Sequence, residues 1–255
     1  MAKSMKTASV VRQEQIGRDI YSLTVDCPEI ADAAVPGQFA SLFTGDNSRL
    51  LPRPISICDA DDGKLRFVYR IAGEGTRIIS GLKSGDKIRL LGPLGNGYTL
   101  KDGSAILMGG GIGIPPMLYL AKKLKSKGVE LKIVLGYRDE EFLKAEFDDL
   151  GEVYVSSDTG FMGVKGTVID AIREYNIDGD VIYACGPKPM LKAIKAFAQE
   201  KGTEAQLSLE ERMACGIGAC LACVCETTAT DDHSKVNNAR VCADGPVFDA
   251  KEVVL

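Results

Sequence analysis

The sequence predicts a β-barrel, followed by an α/β domain with a parallel sheet and then by a small cysteine-rich subdomain. Three observations predict this order. Residues 1–101 contain short strand-like runs separated by glycine, proline and aspartate, whereas residues 102–209 alternate strand-like with helix-like stretches. Residues 210–255 hold five of the eight cysteines and show little hydrophobic periodicity, so we expect a metal centre rather than an apolar core to hold them.

The first region is predicted to be an antiparallel barrel or sandwich. Turn residues recur there after every few positions, which is typical of strands that reverse direction and pair with their neighbours. The predicted strands are Tyr21–Val25, Phe39–Phe43, Ile55–Cys58, Leu65–Ile71 and Lys87–Leu91.

The second region is predicted to form βαβ units, because consecutive parallel strands need a crossover that is usually a helix. The predicted strands are Ala105–Met108, Leu131–Gly136, Val153–Ser156, Val181–Ala184 and Ala205–Leu209. The predicted helices are Pro116–Lys127, Glu141–Leu150, Thr167–Tyr175 and Pro189–Lys201. Open parallel sheets bind ligands at the carboxyl ends of their strands, so the turns that follow these strands are candidate sites.

The composition argues against two classes of function. A net charge of −4 and the absence of a long basic run argue against nucleic-acid binding. No run approaches about 18 consecutive apolar residues, so no membrane span is predicted. Met1–Val10 lacks the apolar core of a signal peptide. We therefore expect a cytoplasmic protein, in which reducing conditions disfavour disulfides.

The cysteine spacing in the third region predicts an iron–sulfur site. Cys215, Cys220 and Cys223 follow the pattern C-x4-C-x2-C, and Cys242 supplies a distant fourth thiolate. This is the plant-type spacing of a [2Fe–2S] cluster, in which a tight loop wraps one edge of the cluster. The glycines of that loop allow unusual backbone angles, so amide groups can point at sulfur and moderate its negative charge.

Alternatives to this cluster stay open on the sequence alone. Four cysteines also suit a structural zinc ion, although zinc sites more often use two C-x2-C pairs. A Rieske-type site is excluded because it needs two histidines, and His233 is the single histidine of the chain. Cys225 breaks the spacing and is predicted to be unligated.

A motif in the first region has the parts that a flavin dinucleotide site requires. Such a site needs a hydroxyl or amide beside the N5 edge of the flavin, a cation for the pyrophosphate, and a turn whose amides reach phosphate oxygens. Ser56, Arg53 and the Gly75–Thr76 turn are the candidates. By itself, Arg-Pro-x-Ser also fits a proline at the start of a strand beside a surface arginine. The full predicted set is Arg53, Pro54, Ile55, Ser56, Val68, Tyr69, Arg70, Gly75 and Thr76.

Two turns in the second region are candidates for binding a nicotinamide nucleotide. The glycine-rich turn that begins at Gly109 follows a predicted strand and opens a helix, so its backbone can approach a dinucleotide. Its match to G-x-G-x-x-G is imperfect because Pro116 replaces the third glycine. The second turn ends another strand of the same sheet. The predicted nucleotide-binding residues are Gly110, Gly111, Gly113, Cys185, Gly186 and Pro187.

Two side-chain assignments near these turns stay open. Asp139 and Glu140 favour a free ribose hydroxyl, and hence NAD, whereas Arg138 favours a 2′-phosphate. Cys185 also fits a small buried hydrophobic residue, a common fate of a free cysteine.

The order of these motifs resembles the ferredoxin–NADP reductase superfamily. The cysteine tail, together with Val241–Phe248, narrows the resemblance to the electron-transfer subunits of the NAD-dependent (type B) dihydroorotate dehydrogenases. The similarity spans essentially the whole chain. It implies an antiparallel FAD-binding barrel in residues 1–101, a parallel-sheet NAD-binding domain in residues 102–209 and a [2Fe–2S] subdomain in residues 210–255. The implied cluster ligands are Cys215, Cys220, Cys223 and Cys242.

The resemblance also implies a partner. An FMN-containing catalytic subunit would oxidise dihydroorotate in pyrimidine biosynthesis, and electrons would pass through the [2Fe–2S] cluster and FAD to NAD within a hetero-oligomer. A flavin belongs between the other two carriers because it exchanges electrons singly and in pairs. No residue of this chain is predicted to act as a general acid or base. No aromatic residue ends the chain, so the group that covers the flavin must differ from that of the wider superfamily.

Two other functions fit parts of the sequence. One is a related flavin subunit of a hydrogenase or of a ferredoxin–NADP transhydrogenase, which shares the superfamily motifs. The other is a non-catalytic module with a structural zinc ion and a flavin fold that binds no flavin. Visible absorbance identifies the zinc module, which would be colourless, whereas a flavin and iron–sulfur protein shows a flavin band and broad iron–sulfur absorption.

Overall fold

Six strands of the first region close into an antiparallel barrel, which confirms the predicted architecture. The structure is a computed structural model, and it describes residues 3–230 and 235–255. The strands are β1 (Ser4–Gly17), β2 (Ile20–Asp26), β3 (Phe39–Phe43), β4 (Arg53–Asp61), β5 (Lys64–Arg70) and β6 (Lys87–Leu94). Their order around the barrel is β1-β2-β5-β4-β3-β6, and β6 pairs with β1 to close it. The helices α1 (Pro28–Ala31) and α2 (Glu74–Ser80) lie in its connections.

Apolar side chains that alternate along the strands fill the barrel. On β2 and β5, Leu23 lies opposite Phe67 and Val25 lies opposite Leu65, and all four side chains are fully buried. Strand β1 was not predicted. Only Ala8 and Val10 of its fourteen residues are buried, so its hydrophobic pattern is too weak to indicate a strand.

The second region forms a parallel sheet flanked by helices, as predicted. Its strands are β7 (Ser104–Gly110), β8 (Glu130–Tyr137), β9 (Glu152–Ser157), β10 (Val164–Lys165), β11 (Val181–Cys185) and β12 (Glu204–Ser208). Its helices are α3 (Ile114–Ser126), α4 (Val168–Glu174) and α5 (Lys188–Lys201). The strand order is β10-β9-β8-β7-β11-β12, so the carboxyl ends of β7 and β11 lie side by side. Within the described ranges, no helix is both long and apolar enough to span a membrane.

The predicted helix Glu141–Leu150 is wrong. The chain there is irregular, with a single short turn of 3-10 helix at Lys144–Glu146, and Leu143 has a left-handed backbone with φ of 64°. Phe142 and Phe147 are both buried. A continuous helix would place these two rings about 140° apart around its axis, so it could not bury both in one core.

The third region is joined to the parallel sheet by a strand of its own. The strands β13 (Val224–Glu226) and β14 (Asn238–Arg240) form a small antiparallel ribbon, and β15 (Val247–Asp249) pairs antiparallel with β12. Buried side chains of this region, among them Val241, Phe248 and Val253, belong to the same apolar cluster as the sheet. We expected a metal centre rather than an apolar core to hold this region. That expectation is wrong for the end of the region, which packs into the apolar core of the sheet.

Polar contacts hold the barrel against the sheet. The hydroxyl of Tyr119 on α3 donates to the carbonyl of Ala34 at 2.9 Å. The guanidinium of Arg66 on β5 binds both carboxylate oxygens of Glu146, at 2.5 and 2.9 Å. These contacts join the barrel to the α/β region.

Candidate functional site

A cavity of about 790 Å³ lies between the barrel and the carboxyl edge of the parallel sheet. Its volume is in the range of sites that hold cofactors. All but two of the predicted cofactor-binding residues line it, and the exceptions are Gly75 and Gly111. The predicted residues that line it are Arg53, Pro54, Ile55, Ser56, Val68, Tyr69, Arg70, Thr76, Gly110, Gly113, Cys185, Gly186 and Pro187.

On the barrel side, the Arg53 guanidinium lies directly against the first turn of α2. A Cβ atom added to Gly75 would collide with that guanidinium, so only glycine leaves room for it. The hydroxyl of Thr76 accepts the amides of Ala72 and Gly73, at 2.9 and 3.2 Å, and donates to the Gly73 carbonyl at 2.9 Å. Because that hydroxyl is engaged within the turn, we expect the turn to meet a phosphate with its backbone amides.

On the sheet side, two glycine turns pack against each other without space for a side chain. A Cβ atom on Gly113 would collide with the Cys185 carbonyl, and one on Gly110 would collide with the sulfur of Met190. Gly111 differs, because it has a φ of 52° and open space around its Cβ position. Burial raises the pKa of the Cys185 thiol to about 12, so this thiol is neutral at physiological pH.

The structure assigns Glu140 to the interface between barrel and sheet. Both oxygens of its carboxylate accept the backbone amide of Arg18, at 2.9 Å each. A carboxylate held by the barrel in this way is not available to orient a ribose, so Glu140 loses the role considered for it. The hydroxyl of Thr159 donates to the carbonyl of Arg138 at 3.3 Å, which ties the loop after β9 to the end of β8.

The four predicted cluster ligands come together as two pairs of thiols. The sulfurs of Cys215 and Cys220 are 3.4 Å apart, and Cys223 lies close enough to Cys242 to add to the effect of burial in raising the pKa of that thiol. In the described part of the chain, no three metal-binding side chains converge on a single point. A two-plus-two arrangement fits a cluster of two irons, each held by two thiolates, better than it fits one tetrahedral zinc ion.

Backbone amides already point at these sulfurs. The amides of Ile217 and Cys220 donate to the sulfur of Cys215, at 3.5 and 3.4 Å, and the amide of Gly218 donates to the sulfur of Cys242 at 3.2 Å. Burial by itself raises the pKa of Cys215, but these amide donors outweigh it and lower the pKa to about 6. The loop therefore favours the thiolate of Cys215, which is the form that ligates metal, whereas burial raises the pKa of Cys242 to about 12.

Cys225 and His233 are the two remaining residues of the cysteine analysis. Cys225 stands on β13 and lines a separate small cavity of about 100 Å³ with Lys188 and the chain terminus. His233 lies outside the described residues.

One aromatic ring lies between the cavity and the cysteine loop. Phe39 on β3 lines the cavity, and an edge carbon of its ring is 3.9 Å from the Cβ position of Gly216. Pro246, in the tail, lines the same cavity. The Asn96 side chain donates to the carbonyl of Asp244 at 2.9 Å, which fastens the tail to the end of the barrel.

One wall of the cavity was not predicted from the sequence. This wall follows β12, the last parallel strand, and the rule that ligands bind at the carboxyl ends of parallel strands would have indicated it. Its residues are Ser208, Leu209, Glu210, Glu211, Arg212 and Met213. Phe39 and Leu51 also line the cavity and carry no sequence signal of their own.

Comparison with known proteins agrees with this geometry. Residues 210–254 match the family model described as the iron–sulfur cluster binding domain of dihydroorotate dehydrogenase B. Over 256 residues the chain is 45% identical to the dihydroorotate dehydrogenase B (NAD(+)), electron transfer subunit, of Geobacillus sp. (strain WCH70), with 97% of each chain covered. It is 42% identical to the subunit of the same name from Fusobacterium nucleatum, with 98% of each chain covered.

Solved structures show the same fold. The NADH-dependent reduced ferredoxin-NADP oxidoreductase, solved in a study of flavin-based electron bifurcation, superposes with a TM-score of 0.87 at 29% identity. That match covers 97% of this chain and 89% of the other. A ferredoxin NADP+ reductase from Neisseria gonorrhoeae with bound FAD and NADP superposes with a TM-score of 0.63 at 15% identity, over 78% and 92% of the two chains. The second likeness concerns the fold alone.

Proposed function

Because this chain belongs to the family of dihydroorotate dehydrogenase B (NAD(+)) electron transfer subunits, we propose that it passes electrons from a dihydroorotate-oxidising catalytic subunit to NAD in pyrimidine biosynthesis. The partner is an FMN-containing subunit, and the two form a cytoplasmic hetero-oligomer. The chain itself divides into an FAD-binding unit (1–101), an NAD-binding unit (102–209) and a [2Fe–2S] unit (210–255).

One observation carries this proposal. A single cavity is lined by the flavin motif and by both nucleotide turns, and its Phe39 ring reaches the loop that bears the thiols. FAD, when bound, exchanges single electrons with an iron–sulfur centre and a hydride with a nicotinamide. We therefore place the one-electron carrier and the two-electron carrier on either side of one flavin site.

The barrel residues hold FAD by charge and by shape. Arg53 binds the pyrophosphate, because its guanidinium is a bidentate cation that lies against the first turn of α2 at Gly75. Ser56 offers its hydroxyl to the flavin edge. Val68 and Tyr69, both buried at the cavity wall, exclude water from that side.

The sheet residues hold NAD through backbone rather than through acid–base groups. The turns at Gly110–Gly113 and Cys185–Pro187 present amides at strand ends, where a dinucleotide can approach closely. With its raised pKa, Cys185 presents a neutral thiol to the cavity, and a neutral thiol is a much weaker nucleophile toward the flavin and nicotinamide rings than a thiolate. Positioning of the two rings is the contribution of this chain to hydride transfer.

The thiols of Cys215, Cys220, Cys223 and Cys242 would hold the [2Fe–2S] cluster, which would supply one-electron exchange at this loop. The amides that point at Cys215 and Cys242 stabilise negative charge on the site, which favours its reduced state. Cys225 takes no part.

We place the docking surface for the partner on the cysteine loop. Leu221 is 73% exposed and directly follows Cys220, and Ile217 is 43% exposed and lies two residues after Cys215. Exposed apolar side chains on a loop of this kind are typical of a protein interface. Contact there would bring the partner's FMN close to the cluster.

A second candidate function is supported by one observation. The structural match at a TM-score of 0.87 is to a ferredoxin-NADP oxidoreductase, so a subunit of a related transhydrogenase shares this fold over the whole chain. The name shared by relatives at 42–45% identity favours the dihydroorotate function.

Anaerobic co-purification with the native partner tests the proposal. We expect one FAD and the iron and acid-labile sulfide of one [2Fe–2S] cluster per chain, and dihydroorotate-dependent reduction of NAD only with the partner present. Reduction of NAD by ferredoxin alone would favour the second candidate. A colourless protein that contains zinc would contradict both.

A further inference from the structure

Ser41 on β3 carries a buried hydroxyl that has no hydrogen-bond partner. The residue is 1% exposed, and its oxygen is among the few buried side-chain polar atoms of the described residues without a partner. Buried hydroxyls are nearly always hydrogen-bonded, because leaving one unpaired away from water is unfavourable. The orphaned Ser41 hydroxyl therefore indicates an acceptor that arrives with a bound group.

The hydroxyl faces the loop that holds the cluster ligands. Its oxygen is 2.9 Å from the position that a Cβ atom on Gly216 would occupy, and Gly216 directly follows Cys215. The other atoms nearest that position belong to the side chains of Leu94 and Phe39, which offer no acceptor. Gly216 has a φ of 68°, so a side chain is excluded there both by backbone conformation and by the hydroxyl.

We propose that Ser41 is a positioning residue of the iron–sulfur site, whose hydroxyl donates a hydrogen bond from the flavin barrel to a sulfur of the bound cluster beside Cys215. This inference rests on the proposed function. It adds a side-chain donor to the backbone amides of Ile217, Gly218 and Cys220, and it comes from a different part of the chain.

The location of Ser41 gives this hydrogen bond a second consequence. Phe39 and Ser41 stand two residues apart on β3, so their side chains share one face of the strand. Phe39 lines the flavin cavity, whereas Ser41 meets the cysteine loop. The hydrogen bond therefore fixes the cluster loop against the strand that borders the flavin. A donor to sulfur also stabilises the reduced cluster, because reduction adds negative charge.

The test is an EPR-monitored redox titration of the holoprotein with Ser41→Ala. Alanine fits wherever serine does, so a purely steric role for Ser41 would survive this change. We expect the equilibrium constant for reduction of the cluster to fall about tenfold, which is about 59 mV for a one-electron couple. Deuterium exchange followed by hyperfine spectroscopy should also show one fewer exchangeable proton coupled to the cluster.

Ser156→Ala is the matched control. Ser156 on β9 is likewise fully buried with an unpartnered hydroxyl, but it lies in the parallel sheet beside Gly136. We expect its substitution to leave the reduction equilibrium and the proton couplings unchanged. An equal shift in both variants, or no shift in Ser41→Ala, would overturn the proposal.

Two further results of these experiments would also support or overturn the proposal. If Ser41→Ala keeps its FAD but loses iron that Ser156→Ala retains, the hydrogen bond holds the cluster and the proposal is supported. If Ser41→Ala loses both cofactors, Ser41→Thr, which restores the hydroxyl, must recover iron, and failure to do so would overturn the proposal. Absence of iron from the unaltered protein would instead contradict the proposed function itself.

Discussion

In the cofactor cavity, glycines and buried side chains of the barrel and the sheet set the positions of the walls, whereas the loop from Cys215 to Cys223 consists of bends and turns without regular structure. The cavity lies between two packed cores. The cysteine loop, in contrast, exposes Leu221 and Ile217 and leads into β13, a strand of only three residues. The two sites therefore depend on their cofactors to different degrees. The cavity is shaped by packing, and the loop needs its metal.

Loss of one cluster ligand has the largest expected effect. In Cys223→Ser, we expect the iron and labile sulfide content to fall to about a tenth or less, because this buried thiol has no substitute at its position. FAD content should stay close to that of the unaltered protein, since the barrel cavity does not include this residue. Iron analysis and the visible spectrum measure both quantities. Cys225→Ser, two positions away, should keep the cluster, and equal loss in both variants would show that the ligand assignment is wrong.

Gly75→Ala probes the cavity in the same way. The added Cβ would displace the Arg53 guanidinium from the first turn of α2. We expect the dissociation constant for FAD to rise at least about tenfold, which is about 1.4 kcal/mol, as measured by flavin fluorescence on titration of the deflavinated protein. Gly73→Ala is the control, because the Cβ position of Gly73 is open and its backbone is extended. Similar losses in the two variants would show that Arg53 is not the pyrophosphate ligand.

The cofactor cavity and the cysteine loop also differ in how much of each could be predicted from the sequence. The cysteine spacing predicts four ligands, because a two-iron cluster takes three thiolates from one short loop and the fourth from farther along the chain. The flavin motif carried weight only in combination, because its parts lie on separate strands that only the closed barrel brings together. Ser41 could not have been predicted at all. Its sequence neighbourhood is an ordinary strand, and its role depends on a contact with Gly216, which is far away in the chain.

Two elements were predicted wrongly from the sequence, and each error has a local physical cause. Strand β1 escaped prediction because its side chains are mostly polar and barrel closure, not hydrophobic pattern, holds it in place. The stretch from Glu141 to Leu150 has the composition of a helix, but burial of Phe142 and Phe147 on one side overrides that preference. Tertiary packing decided both cases.

Alkaline pH offers a smaller test, based on a thiol in the packed barrel. Burial raises the pKa of Cys58 to about 12, whereas its ordinary value is 9.0. A group whose pKa is raised on folding contributes stability that is fully present below the unfolded value and is lost as pH rises toward the folded value. Between pH 9 and 12 we therefore expect Cys58 to lower the free energy of unfolding by up to about 1.4 kcal/mol per pH unit.

Urea unfolding of the unaltered protein and of Cys58→Ala, compared at each pH from 8 to 10, isolates this contribution from other groups that titrate there. The difference between the two proteins should be constant below pH 9 and should shrink above it. A difference that does not change with pH would mean that the thiol is more accessible to water than its burial indicates.

The smallest expected effect belongs to the ion pair between Arg66 and Glu146, which joins barrel to sheet. The pair is bidentate but partly open to water, with side chains 22% and 38% exposed, so we expect its removal to lower the free energy of unfolding by no more than about 1 kcal/mol. A double-mutant cycle of Arg66→Met and Glu146→Gln, followed by urea unfolding, measures the pair without the loss of the hydrogen bond from Arg66 to Ser22. Salt should weaken the coupling, because it screens charges that water reaches. The affinity for FAD is the more informative measurement, since a cavity shaped by two packed cores should bind the flavin equally well without this contact. If the double variant bound FAD many times more weakly, closure of barrel on sheet would depend on surface charge, and the cavity would be no more preformed than the cysteine loop.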